Sequence, residues 1–132
     1  MYRWSERSYR NLKGVRPELV AVATLALRRL GEDGGPDFVV TSGKRTEEEQ
    51  RELVNEGASQ TMNSRHLTGH AIDIAAFDEQ YDVTWKSDYY KSIADYFFEA
   101  AEDLGVKIEW GGHWVELRDM PHFALDWEAY PA

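Results

Sequence analysis

Residues 64–74 read SRHLTGHAIDI, which places His66, His70 and Asp73 at offsets of four and three. On a helix those offsets stack three metal-capable side chains on one face. Gly69 interrupts such a helix, and the β-branched Ile72 and Ile74 favour an extended chain. With residues 70–75 as a strand, alternation sends Asp73 to one face and His70 to the other, so the two cannot serve one metal. His66 then comes from the loop before, Asp73 from the strand, and a third ligand from further along, where His113 and His122 are the candidates.

Working outward, residues 17–30 carry apolar side chains at helical spacing, with Pro17 suited to a first turn and Gly31 to the end, so a helix is expected there and EDGGPD after it as a loop. FVVT at 38–41 reads as a short buried strand leading into SGKRT, and Thr46 with Glu49 forms a capping box that starts a helix over about 47–56. Arg45 falls between that strand end and helix start, where functional side chains are often positioned. Residues 87–104 present Tyr90, Ile93, Ala94, Phe97, Phe98, Ala101 and Leu104 on one helical face, closed by Gly105. VKIEW at 106–110, residues 114–117 and residues 122–125 read as further short strands, with GGH as a turn. Helices and strands mix without regular alternation, which predicts an α+β fold, a single domain over residues 1–132 with a small, mainly antiparallel sheet packed against helices.

Composition narrows the chemistry. Fifteen basic against 24 acidic residues give a net charge of −9, so a phosphate-tracking groove and a nucleic-acid partner are not expected. There is no cysteine, so any zinc must be held by His and carboxylate. The first fifteen residues, MYRWSERSYRNLKGV, contain no apolar run of signal-peptide length, and no later run approaches a membrane span. The expectation is a monomer made in the cytoplasm without a signal peptide, reaching its place of action through another factor.

SRHLTGHAID resembles the S-x-H-x-x-G-x-A-x-D signature of zinc peptidases that cut bacterial cell-wall peptides, namely D-alanyl-D-alanine carboxypeptidases and dipeptidases and the bacteriophage L-alanyl-D-glutamate endopeptidases. DMPH at 119–122 is similar to the family's later D-x-x-H or E-x-x-H element, WGGHW to a W-G-G-x-W element of the phage branch, and NLKGVRPELV to that branch's N-terminal helix entry. Where that branch commonly has Asp after the paired glycines, this chain has His113.

The resemblance implies zinc ligands at His66, Asp73 and His122, a catalytic base at Asp119, and a substrate-contacting arginine at Arg45, which matches an S-G-x-R element. Ser64 is expected to orient substrate, while Gly69 and Ala71 permit close backbone approach. Asp119 lies three residues from His122 and so on the opposite parity of an extended segment, and it needs a bend at Met120–Pro121 to turn inward. The implied activity is cleavage of the L-alanyl-D-glutamate bond in peptidoglycan stem peptides by a phage-type endolysin. The alternatives are a D-alanyl-D-alanine carboxypeptidase and a metal- or peptide-binding module without turnover.

Overall fold

The structure is a computed structural model that describes residues 1–59, 61–114 and 118–131. Along the chain it forms α1 (Glu6–Leu12), α2 (Pro17–Asp33), β1 (Phe38–Ser42), α3 (Glu47–Asn55), β2 (Ala71–Phe77), β3 (Val83–Thr84), α4 (Ser87–Leu104), β4 (Ile108–Trp110) and β5 (His122–Leu125), with 3₁₀ turns at Arg65–Thr68 and Gly111–His113. The described strands make one antiparallel sheet in the order β1-β2-β5-β4, and β3 pairs with the far end of β2. This is the α+β arrangement expected from the sequence. No helix among the described residues is long and apolar enough to cross a membrane.

Alternation divides the sheet into two faces. Phe38, Val40, Ile72, Ile74, Ala76, Trp110, Phe123 and Leu125 turn toward α2 and α4 and join their buried residues in one cluster. Leu19, Val22, Ala26 and Leu30 come from α2, and Tyr90, Ile93 and Phe97 from α4. Phe97 stacks on Phe123 with ring centroids 4.0 Å apart, and the Tyr90 hydroxyl donates to Thr84 O at 2.8 Å while accepting from Ala76 N at 3.0 Å. A buried tyrosine is thereby satisfied at its polar end. Leu104, expected on the inner face of α4, is 45% exposed.

Two elements differ from the sequence expectation. The second helix does not stop at Gly31 but runs to Asp33, and Gly34 with φ of 74° supplies the left-handed cap. Gly31 lies within the helix and leaves room for Tyr2, which stands where a Cβ would be, while the αL cap falls to Gly34. The short helix α1 has only Ser8 and Leu12 buried and carries no apolar stripe. It is held by side chains that cover the edge of β1: Ser8 Oγ accepts from Val40 N at 2.9 Å, and Asn11 Nδ2 donates to Val40 O at 2.8 Å. An exposed strand edge is closed in this way. Of the strand expected at 114–117, residues 115–117 lie outside the described residues, and Trp114 follows the 3₁₀ turn in extended backbone.

Candidate metal centre

Antiparallel pairing sets Asp73 of β2 directly opposite His122 of β5 on the face away from the core. His122 Nδ1 lies 3.3 Å from Asp73 Oδ1. His66 arrives from the 3₁₀ turn before β2. Ser64 caps that turn by accepting from His66 N at 3.2 Å, and Gly69 ends it with φ of 75°. A Cβ at Gly69 would collide with the Gly14 carbonyl, so both backbone conformation and space demand glycine there. The turn brings His66 Nε2 to 3.2 Å from Asp73 Oδ2, and its Nδ1 donates to Gly43 O at 2.7 Å.

That carbonyl fixes the tautomer. With Nδ1 protonated toward Gly43, the neutral ring presents a bare Nε2 lone pair, which is buried and has no hydrogen-bond partner. A lone pair facing a carboxylate oxygen at 3.2 Å is repulsive unless a cation sits between them. His66, Asp73 and His122 each offer one ligand atom, all within 4.8 Å of one another, so the group can hold a metal ion. Two imidazoles and one carboxylate are a donor set suited to a borderline divalent cation. Burial pushes the Asp73 carboxyl up, but the hydrogen bond with His122 and the closeness of both imidazoles outweigh it and hold the group well below the usual carboxylate range. It is therefore in the ionised state that coordination requires.

Arg45 stands at the start of α3, its backbone N donating to His66 O at 2.9 Å. Its Nη2 reaches Asp73 Oδ2 at 3.2 Å and Ser42 Oγ at 3.1 Å, and Nη1 donates to Gln50 Oε1 at 2.9 Å. Asp119 turns inward as its parity required. Residues 119–122 form a turn closed by His122 N to Asp119 O at 3.1 Å, with Asp119 N donating to Gly111 O at 3.0 Å. Any side chain at Gly111 would strike the Asp119 carbonyl. Burial and the neighbouring Asp73 charge push the Asp119 carboxyl up, opposed by His122, His66 and Arg45.

The four histidines part company. His70 lies outside the triad and its Nδ1 meets Thr68 Oγ1 at 2.7 Å, in agreement with strand parity. His113, exposed, stacks on Phe98 at 5.4 Å and meets Trp110 edge-on at 4.9 Å. Arg45, Ser64, Asp119 and the triad line one cleft of about 600 Å³, walled by Trp114 and Trp127. Two supports escaped the sequence reading. The Gly43 carbonyl is 23 residues from the ring it orients, and Gln50, fully buried on α3, ties Arg45 to Ser59 Oγ and Thr61 O.

Comparison with known proteins fits this geometry. Residues 1–124 match the family model described as phage L-alanyl-D-glutamate peptidase. The chain belongs to this family. Among solved structures, the Serratia marcescens L-Ala D-Glu endopeptidase ChiX is similar with a TM-score of 0.87 and 47% identity, covering 99% of this chain and 95% of that one. The L-alanyl-D-glutamate peptidase of Listeria phage A118 is 36% identical over 99 residues, 75% of this chain but 34% of its own length. The chain thus spans about a third of that relative. The peptidoglycan L-alanyl-D-glutamate endopeptidase CwlK of Bacillus subtilis is 32% identical over 114 residues, 76% of this chain and 67% of CwlK.

Proposed function

We propose that this chain is a zinc-dependent peptidoglycan peptidase cleaving the L-alanyl-D-glutamate bond of stem peptides. In this reading His66, Asp73 and His122 hold the metal, Asp119 is base and then acid, and Arg45 and Ser64 bind substrate. The observation that carries it is the buried, bare Nε2 of His66 turned to one oxygen of Asp73 while His122 approaches the other. The family relatives supply the bond and the substrate class.

When bound, zinc supplies Lewis acidity and makes a water acidic near neutral pH. The Asp119 carboxylate accepts a proton from the attacking water and returns it to the nitrogen of the leaving D-glutamate as the C–N bond breaks. Its raised pKa makes it a better proton acceptor than a surface carboxylate, and its turn against Gly111 fixes its direction. Arg45, braced by Ser42, Asp73 and Gln50, has Nε–H and one Nη1–H left to donate to a substrate carboxylate or to the carbonyl oxygen as that oxygen gains charge. Donors in that role contribute roughly 3–4 kcal/mol to the barrier. The Ser64 oxygen already accepts from His66 N, which leaves its O–H to donate to substrate.

The test is digestion of purified peptidoglycan by metal-loaded protein, by protein stripped with a chelator and by stripped protein given zinc. Mass spectrometry should find new D-glutamate amino termini in the first and third alone. Release of the same termini by the stripped protein would end the zinc reading, and release of D-alanine instead would change the bond.

A further inference from the structure

Three charged side chains in the cleft are not used by this reaction: Arg118, which is exposed, and Glu109 and Arg65, which are not. Glu109 is on the metal-bearing face of β4, opposite Ala124 and so diagonal to His122, a spacing of about 7–8 Å between such residues. It lines the cleft, and among the described residues no cation comes within ion-pair distance of its carboxylate. Arg65 lines the same cleft and is only 5% exposed. Its Nη2 donates to Leu125 O at 3.2 Å and Tyr130 O at 2.7 Å, and Trp127 covers the guanidinium face at 4.0 Å. Its Nε and Nη1 are buried without a partner.

Unpaired buried donors cost free energy, and here they share a cleft with a half-buried carboxylate that has no cation. Arg65 and Glu109 feel each other's charge, yet no ion pair closes between them. A gap between a cation and an anion that do not touch suits a ligand group bearing both charges in the reverse order. We infer that Arg65 and Glu109 form a subsite for an amino-acid zwitterion, an ammonium and a carboxylate on one carbon, at the side-chain end of a diamino acid following the D-glutamate of the cut bond. The ammonium goes to Glu109 and the carboxylate to Arg65, where Nη1 is a donor without a partner. Trp127, 45% exposed, covers the guanidinium face beside this subsite. A lysine at that position satisfies Glu109 and leaves the arginine donors unpaired, so meso-diaminopimelate is preferred over lysine. This inference rests on the peptidase reading above.

The experiment uses zinc-loaded protein and three soluble peptides, L-alanyl-γ-D-glutamyl-X, with X meso-diaminopimelate, lysine or norleucine. Expected kcat/KM falls in that order, each step by about 10–100-fold, the range that hydrogen bonds to charged groups supply. Glu109→Gln, close in shape to the parent, should erase the step between lysine and norleucine. Equal kcat/KM for all three peptides with the wild-type chain would overturn the subsite and leave the peptidase reading intact, as would a lysine-to-norleucine step that survives Glu109→Gln. Cleavage of none of them would remove the peptidase reading and the subsite with it. The wild-type series needs no variant to fold.

Discussion

The central strands β2 and β5 present two faces that obey different rules. Ile72, Ile74, Phe123 and Leu125 have no exposed surface and lie in the apolar cluster, so what matters there is volume. One residue away in each strand, Asp73 and His122 form a polar pair whose worth depends on which atoms face which. Volume can be redistributed among neighbours, whereas a donor set cannot lose a member and keep its ligand. The site is therefore the brittle face of a tolerant sheet.

The widest break in that comparison comes from truncating neighbours on opposite faces. His66→Ala, Asp73→Ala and His122→Ala should each lose bound metal and with it essentially all hydrolysis. Phe123→Ala should cost about 3–5 kcal/mol of stability, the range for deleting a large buried aromatic, and keep its metal in the folded fraction. Metal analysis and denaturant titration of the four proteins check this. If His122→Ala bound zinc like the parent, the two faces would not differ as argued. Asp119→Ala comes next. It should keep the metal and lower turnover by roughly 10²–10⁴-fold, the usual loss of a general base. Full zinc with parental turnover would remove Asp119 from the chemistry, and lost zinc would make it a ligand.

Arg45→Lys tests how finely the polar face is shaped. A lysine keeps the charge but cannot make the fork that Ser42, Gln50 and Asp73 hold in place, so kcat/KM on a stem peptide should fall roughly 10–100-fold. Unchanged kinetics would return Arg45 to a bracing role. Acidity should act on the same face. Zinc occupancy should fall below about pH 6, because two of the ligands are imidazoles that coordinate only when neutral. Equilibrium dialysis giving flat occupancy to about pH 4 would contradict a site with two histidines.

What the sequence disclosed follows the same division. Parity along residues 70–75 separated Asp73 from His70 because a period of two is written in the residues themselves, and the capping box at Thr46 and Glu49 is equally local. The capping glycine of α2 lies three residues beyond the one expected, since Gly31 makes room for Tyr2, a long-range neighbour that local spacing does not reveal. Helix α1 was missed because its hold on β1 runs through Ser8 and Asn11 rather than an apolar stripe. Its last turn and the segment after it also abut both site-bearing loops. The Asn11 carbonyl fills the place of a Gly43 side chain, the Gly14 carbonyl that of Gly69, and Arg16 N donates to Gly69 O at 2.8 Å. Such backbone contacts leave only glycines as their trace in a sequence, and a glycine does not say what approaches it.

The smallest effect is expected at His70, four residues from His66 and on the other side of the turn. Its ring bonds to Thr68, while its backbone N and O are engaged by Arg65 O and Leu125 N at 2.9 Å each, contacts that an alanine preserves. His70→Ala should therefore bind metal like the parent and lose on the order of 1 kcal/mol, the value of one side-chain hydrogen bond. Burial, with Arg65 adding to it, lowers the His70 pKa from its ordinary 6.5. The unfolded chain consequently binds more protons here than the folded one below that value, and the parent loses stability on acidification at this residue. Alanine has no such penalty, so in metal-free protein the gap between parent and variant should narrow as pH drops below about 6.5. Denaturant melts at pH 7.5 and pH 5.5 measure it. A gap that widened at the lower pH would mean that His70 is charged in the folded chain, and zinc loss in His70→Ala as complete as in His66→Ala would restore a helical ligand stripe over residues 66–73.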